Sequence, residues 1–72
     1  MSPLCDRLVV LLSGTVGEKV ARDTVQDALS ALGRDPRLLD RPAALEVLEH
    51  IAQRPGLVGV TARFAKSRLH LT

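Results

Sequence analysis

A chain of 72 residues, 46% apolar and with a formal charge of +2, has room for one small domain, and such domains bury only about 60% of the surface their unfolded form exposes. No apolar run approaches the roughly 18 residues of a membrane span, and so small a net charge does not by itself imply a nucleic-acid partner. One cysteine, Cys5, excludes an internal disulfide, and one aromatic residue, Phe64, leaves the core thin.

Small scaffolds usually offset a thin core with disulfides, metals or association. Cys5, His50 and His70 lie too far apart in sequence to suggest a zinc site, so association with a partner is the expected route. No metal and no cofactor is expected. The N-terminal stretch lacks the basic region and cleavage site of a signal peptide, which makes a cytoplasmic location the expectation.

In chain order, Ser2-Pro3 reads as an N-cap followed by proline at the first helical position. Leu4, Leu8, Leu11 and Leu12 continue at helical spacing, which predicts a helix over 3–13, with a short strand through Leu8–Leu12 as the rival. Thr15-Val16-Gly17-Glu18 has the form of a capping box and opens a second helix over 15–33. Val16, Val20, Val25, Ala28, Leu29 and Leu32 make its apolar stripe. Glu18, Lys19, Arg22, Asp23, Gln26 and Asp27 fill the opposite face, and Gly33 closes the helix.

Asp35-Pro36 then predicts a single turn that tucks Leu38 and Leu39 inward. Asp40-Arg41-Pro42 opens a third helix over 41–54, with Leu45, Leu48, Ile51 and Ala52 inward, ended by Arg54-Pro55-Gly56. The last segment, 57–70, reads as a helix, with a hairpin as the rival. Leu57, Val60, Phe64 and Leu71 share one side, while Val58, Ala62, Ala65 and Leu69 share another. Arg63, Lys66, Ser67 and His70 occupy the remaining face. These elements predict an all-α domain, a small four-helix or orthogonal bundle spanning 1–72.

Candidate sites are sparse. Gly14-Thr15-Val16-Gly17-Glu18-Lys19 superficially suggests a phosphate loop. That loop needs GxxxxGK[ST] between a strand and a helix, whereas here the spacing is short, Glu18 intervenes and Val20 stands where a hydroxyl belongs. Cys5 sits among apolar residues and reads as a packing residue. His50 and His70 have no nucleophile or acid at a useful spacing. No enzymatic activity is expected.

Charge is partitioned along the chain. Residues 1–49 hold six bases and eight acids, while residues 50–72 hold Arg54, Arg63, Lys66 and Arg68 and no acid. The stretch IAQRPGLVGVTARFAKSRL (51–69) resembles the helix-turn-helix pattern. Ala52 precedes Gly56 by four, and Ile51, Leu57, Ala62 and Ala65 fall at its apolar positions. That resemblance implies a DNA-binding role, with Arg63, Lys66, Ser67 and His70 on a recognition helix.

The first expectation is different: a non-enzymatic protein-interaction or oligomerisation module of a regulatory or assembly kind, self-associating or docking on a regulatory partner, with a homo-oligomer expected and no membrane. Its interface would draw on Leu57, Val58, Val60, Ala62, Phe64, Ala65, Leu69 and Leu71. A small bundle needs to bury only one of the two apolar sides of its last helix, which leaves the other for a partner.

Overall fold

A computed structural model of the chain describes residues 3–71. Its elements are α1 (Pro3–Val16), α2 (Glu18–Leu32), a 3-10 turn at Pro36–Leu38, α3 (Arg41–Ala52) and α4 (Leu57–Leu71). The expected all-α bundle of four helices is present, and no strand forms among the described residues, so residues 57–71 are a helix and not a hairpin. The Ser2 cap and the side chains of His70 and Leu71 lie outside the described residues.

The core forms where helical periodicity brings branched side chains to one line. Leu8, Leu12, Val25, Val47, Leu48, Ile51 and Leu69 are fully buried, and Cys5 packs with them. Each such aliphatic side chain contributes about 1.5–3 kcal/mol on leaving water. α1 packs chiefly on α2 and α3 on α4, and contact between α1 and α4 closes the bundle.

Proline and aspartate set the boundaries in the second half. The Asp35 carboxylate accepts from the Arg37 amide at 2.9 Å, and this bond, with the Arg37 side chain, holds its carboxyl below the usual range. Asp40 caps α3 by accepting from the Ala43 amide at 2.9 Å. Gly33 closes α2 in the left-handed region, φ 66°. The Gly33 amide donates to the Ser30 carbonyl at 3.2 Å and the Arg34 amide to that of Leu29 at 2.9 Å, the paired bonds of a Schellman ending.

Several expectations are corrected. α1 runs to Val16, so Gly14 does not end it and Thr15 lies inside it instead of capping α2. The break falls at Gly17, whose φ of 88° and ψ of 157° belong to a region that is essentially closed to other residues. Its amide donates the last bond of α1, to Ser13 O at 2.9 Å, and its carbonyl accepts the first of α2, from Ala21 at 3.0 Å. The capping box does not form: no side chain caps α2, and the Glu18 carboxylate accepts from Arg22 one turn on at 3.0 Å.

The buried stripe of α2 is Ala21, Thr24, Val25, Ala28 and Leu29, and Val20 is exposed. Helical period outweighed side-chain size there, because Val20 falls a full 100° from Ala21. Of the two leucines expected inward after Pro36, Leu39 is buried and Leu38 faces solvent, since an extended residue 39 sends successive side chains to opposite sides. α3 ends at Ala52, two residues before the expected boundary, with Gln53 and Arg54 donating to His50 O at 3.3 Å and Ile51 O at 2.9 Å.

Candidate interaction surface

α4 positions the residues that the sequence singles out. The turn at 53–56 ends on Gly56 at φ 84°, and the Gly56 carbonyl accepts the first helical bond, from Val60 at 3.4 Å. Gly59 in the first turn of α4 is buried. A Cβ there would overlap the Arg54 carbonyl oxygen and lie 3.2 Å from the Ala52 carbonyl oxygen. The absence of a side chain thus lets α4 start directly beneath the end of α3.

The two apolar sides of α4 have different fates. Ala62, Ala65 and Leu69 are buried, and Val58 packs half-buried against the same core. These four of the expected interface residues are consumed within the bundle and do not form its outer surface. Small side chains at 59, 62 and 65 allow the backbones to approach, which is the reason this side faces inward. Leu57, Val60 and Phe64 point outward, 57%, 46% and 68% exposed.

Those three side chains lie at i, i+3 and i+7, one stripe over two turns. Together with Leu11 and Thr15 of α1 they line a groove of about 230 Å³, floored by Thr61 and Ala65 and bounded by Arg68. Thr61 is buried, and its hydroxyl donates back to the Leu57 carbonyl at 2.7 Å, so the floor presents a satisfied polar group. The other exposed large apolar residues, Val10, Val20 and Leu38, lie on other elements beside charged neighbours such as Asp6, Asp23 and Arg37 in sequence.

The basic residues divide as well. Lys66 Nζ donates to Glu49 Oε1 of α3 at 3.0 Å, and Arg54 lies 4.0 Å from Asp27 of α2. The acid-free C-terminal third is therefore partly neutralised in space by acids from earlier helices. Arg63, Ser67 and Arg68 are exposed, and neither arginine has an ion pair among the described residues. The sequence pattern places Arg63, Lys66, Ser67 and His70 on one face and leaves Arg68 outside it. Its signal was present: Arg68 follows Phe64 by four and so stands on the same side of the helix.

The remaining sequence features resolve into ordinary packing and surface. Lys19 is 90% exposed and pairs with Asp23 at 3.3 Å on the polar face of α2. Cys5 is fully buried, and burial, with Asp6 beside it, pushes its thiol up from the ordinary value, against smaller lowering effects from the N-terminus and Arg22. His50 is half-buried in the last turn of α3. Among the described residues no three His, Cys, Asp or Glu side chains cluster as metal ligands, and no helix is long and apolar enough to cross a membrane.

What the arrangement offers chemically is an apolar groove with a cationic edge, lined by the hydroxyls of Thr15 and Thr61 and by no carboxylate, imidazole or thiol. Compared with protein-family models, with curated proteins and with solved structures, the chain matches none.

Proposed function

We propose that this protein is a non-enzymatic helical interaction module, regulatory or assembly-related, whose contact surface is the face shared by α4 and α1. The observation that carries this reading is the outward stripe of Leu57, Val60 and Phe64. In a chain with one aromatic residue, the aromatic is spent on the surface and not in the core. Aromatic residues, phenylalanine among them, are enriched at the centre of protein–protein contacts relative to the rest of the surface.

The DNA-binding reading draws support from α3, the turn at Gly56 and α4, which have the connectivity of a helix-turn-helix. Two observations weigh against it. Such helices read bases with residues near their N-terminus, and here the exposed side chains of the first two turns are Leu57, Val60, Arg63 and Phe64, three of them apolar. Lys66, assigned to the same face, is already paired with Glu49.

Two measurements test the reading together. Binding to mixed duplex DNA is followed at low and moderate salt, and a photo-reactive side chain at position 64 is used to cross-link in the cell that makes the protein. The expected result is weak DNA binding and a protein adduct that disappears in a Leu57→Ser/Val60→Ser variant. Strongly salt-dependent DNA affinity, lost in an Arg63→Ala/Lys66→Ala variant, would replace this reading with the second.

A further inference from the structure

We propose that the α1–α4 groove receives an acidic amphipathic helix of a partner protein, its apolar residues packing along Leu57, Val60 and Phe64 and its carboxylates meeting Arg63 and Arg68. This rests on the interaction-module reading and names the chemistry of the partner.

Shape narrows the class of ligand first. The groove of about 230 Å³ is smaller than the roughly 300–1,000 Å³ of pockets that enclose small molecules, and it is open along a helix. From Leu57 to Arg68 the lined stretch spans about 16 Å at the helical rise, the length of three turns of an opposing helix. A planar lipid surface would meet the crest formed by Phe64 but would leave Leu11 and the floor at Thr61 and Ala65 uncovered. A helix bearing apolar side chains at i, i+3 or i+4, and i+7 reaches both.

Charge then selects the partner. Arg68 bounds the groove and Arg63 stands beyond Val60 on the exposed arc of α4, both without an ion pair among the described residues, and no carboxylate lines the groove. A second copy of the chain answers this poorly. A two-fold contact presents the same patch from both sides, which would gather four arginines around one interface.

Few acids among the described residues are left to offset them. Asp23, Glu18, Glu46, Asp35, Asp27 and Glu49 are each in an ion pair, and Asp40 caps α3. Only Asp6 is left of the eight acidic side chains. The carboxylates that complement Arg63 and Arg68 therefore come from another protein, where desolvated pairs at the edge of an apolar contact set both orientation and partner choice.

The test uses the full chain and two fluorescein-labelled peptides of about 18 residues, long enough for five turns. Both carry Leu and Phe at i, i+3, i+7 and i+11. One bears Glu at the flanking positions and its twin bears Lys. Anisotropy at about 50 mM salt, where exposed charges remain weakly screened, is expected to show the Glu peptide binding about tenfold tighter than its twin. Arg63→Glu/Arg68→Glu should invert that order, and Phe64→Ser should abolish binding of both while the circular dichroism spectrum is unchanged.

Equal affinity for the two peptides, or preference for the Lys peptide, would overturn the acidic partner and leave the apolar interface standing. A dimer in light scattering that dissociates in Phe64→Ser would also overturn it, assigning the groove to a second copy and again sparing the module reading. If neither peptide binds and the chain stays monomeric, both readings fail.

Discussion

Replacing Gly59 by alanine adds one methyl group at a position where backbone, and not a flexible side chain, stands in the way. The new Cβ overlaps the Arg54 carbonyl oxygen and approaches that of Ala52 to 3.2 Å. To accept it, the first turn of α4 must move away from the end of α3, loosening the contacts of Ala62 and Ala65, which are buried. Overpacking of this kind costs about 1–3 kcal/mol, against a gain of at most about 1 kcal/mol from the better helix propensity of alanine. Because the obstacle is backbone, the upper part of that range applies and the net loss is about 1–2 kcal/mol; at roughly 4–8 °C per kcal/mol for a domain of this size, the melting temperature should fall by about 4–16 °C.

Gly14→Ala is the matched control. Gly14 is helical and exposed, with open space where a Cβ would go, so the same methyl group should raise the melting temperature by a few degrees, worth about 0.5–1 kcal/mol. Thermal unfolding followed by circular dichroism reads both. If Gly59→Ala melts at or above the parent, the close approach of α4 to α3 is wrong, and with it the reason the small-residue side of α4 faces inward.

Four further outcomes are expected. Asp40→Ala removes the acceptor for the Ala43 amide and should cost about 1 kcal/mol in urea unfolding; a neutral result would mean that Pro42 alone fixes the start of α3. Leu57→Ser, Val60→Ser and Phe64→Ser, made singly, each remove an exposed side chain, so each should change the unfolding free energy by less than about 0.5 kcal/mol, and a large loss would place the stripe in the core. The Cys5 thiol, buried and with its pKa raised, should react with a small disulfide reagent at least about a hundredfold more slowly in the folded chain than in urea. Because the raised pKa favours the neutral thiol in the folded state, its contribution is full below the unfolded pKa and declines as pH rises through and above it. A Cys5→Ala variant should lose that alkaline decline, and an unchanged profile would refute the assignment.

The parts of this fold that are legible in the sequence are those fixed within one turn of the chain. Asp35, Asp40 and Gly33 each satisfy backbone groups two to four residues away, and their geometry follows from local chemistry wherever the helix packs. The hinge between α1 and α2 is different. Gly14 and Gly17 are equally permissive, and which of them takes the positive φ depends on how far α1 must extend for Leu8, Leu12 and Val16 to meet the other helices. Residues in the last turn of α1 are long-range neighbours of α4, as Thr15 is in the groove, so that choice belongs to the tertiary fold. Val20 and Ala21 show the same limit, since the larger side chain reads as core while the helical phase assigns the smaller one to it.

The candidate surface was half legible for a related reason. Both apolar sides of α4 are visible as periodicities, but hydrophobicity alone would bury Leu57, Val60 and Phe64 before Ala62 and Ala65. The bundle does the opposite because two helices gain more dispersion contact by approaching closely over Gly59, Ala62 and Ala65 than by standing apart over a phenylalanine. The same choice creates the groove: turning the small side inward leaves the large side chains of α4 exposed beside Leu11 of α1. It also separates the charges, because the residues on the α3 side of the helix, Lys66 above all, reach Glu49, while Arg63 and Arg68 stay beyond its reach. Close packing on one side of α4 and an unpaired, apolar and cationic surface on the other are thus two consequences of one residue pattern, and a change that undid the first, such as a side chain at position 59, should disturb the second without touching it.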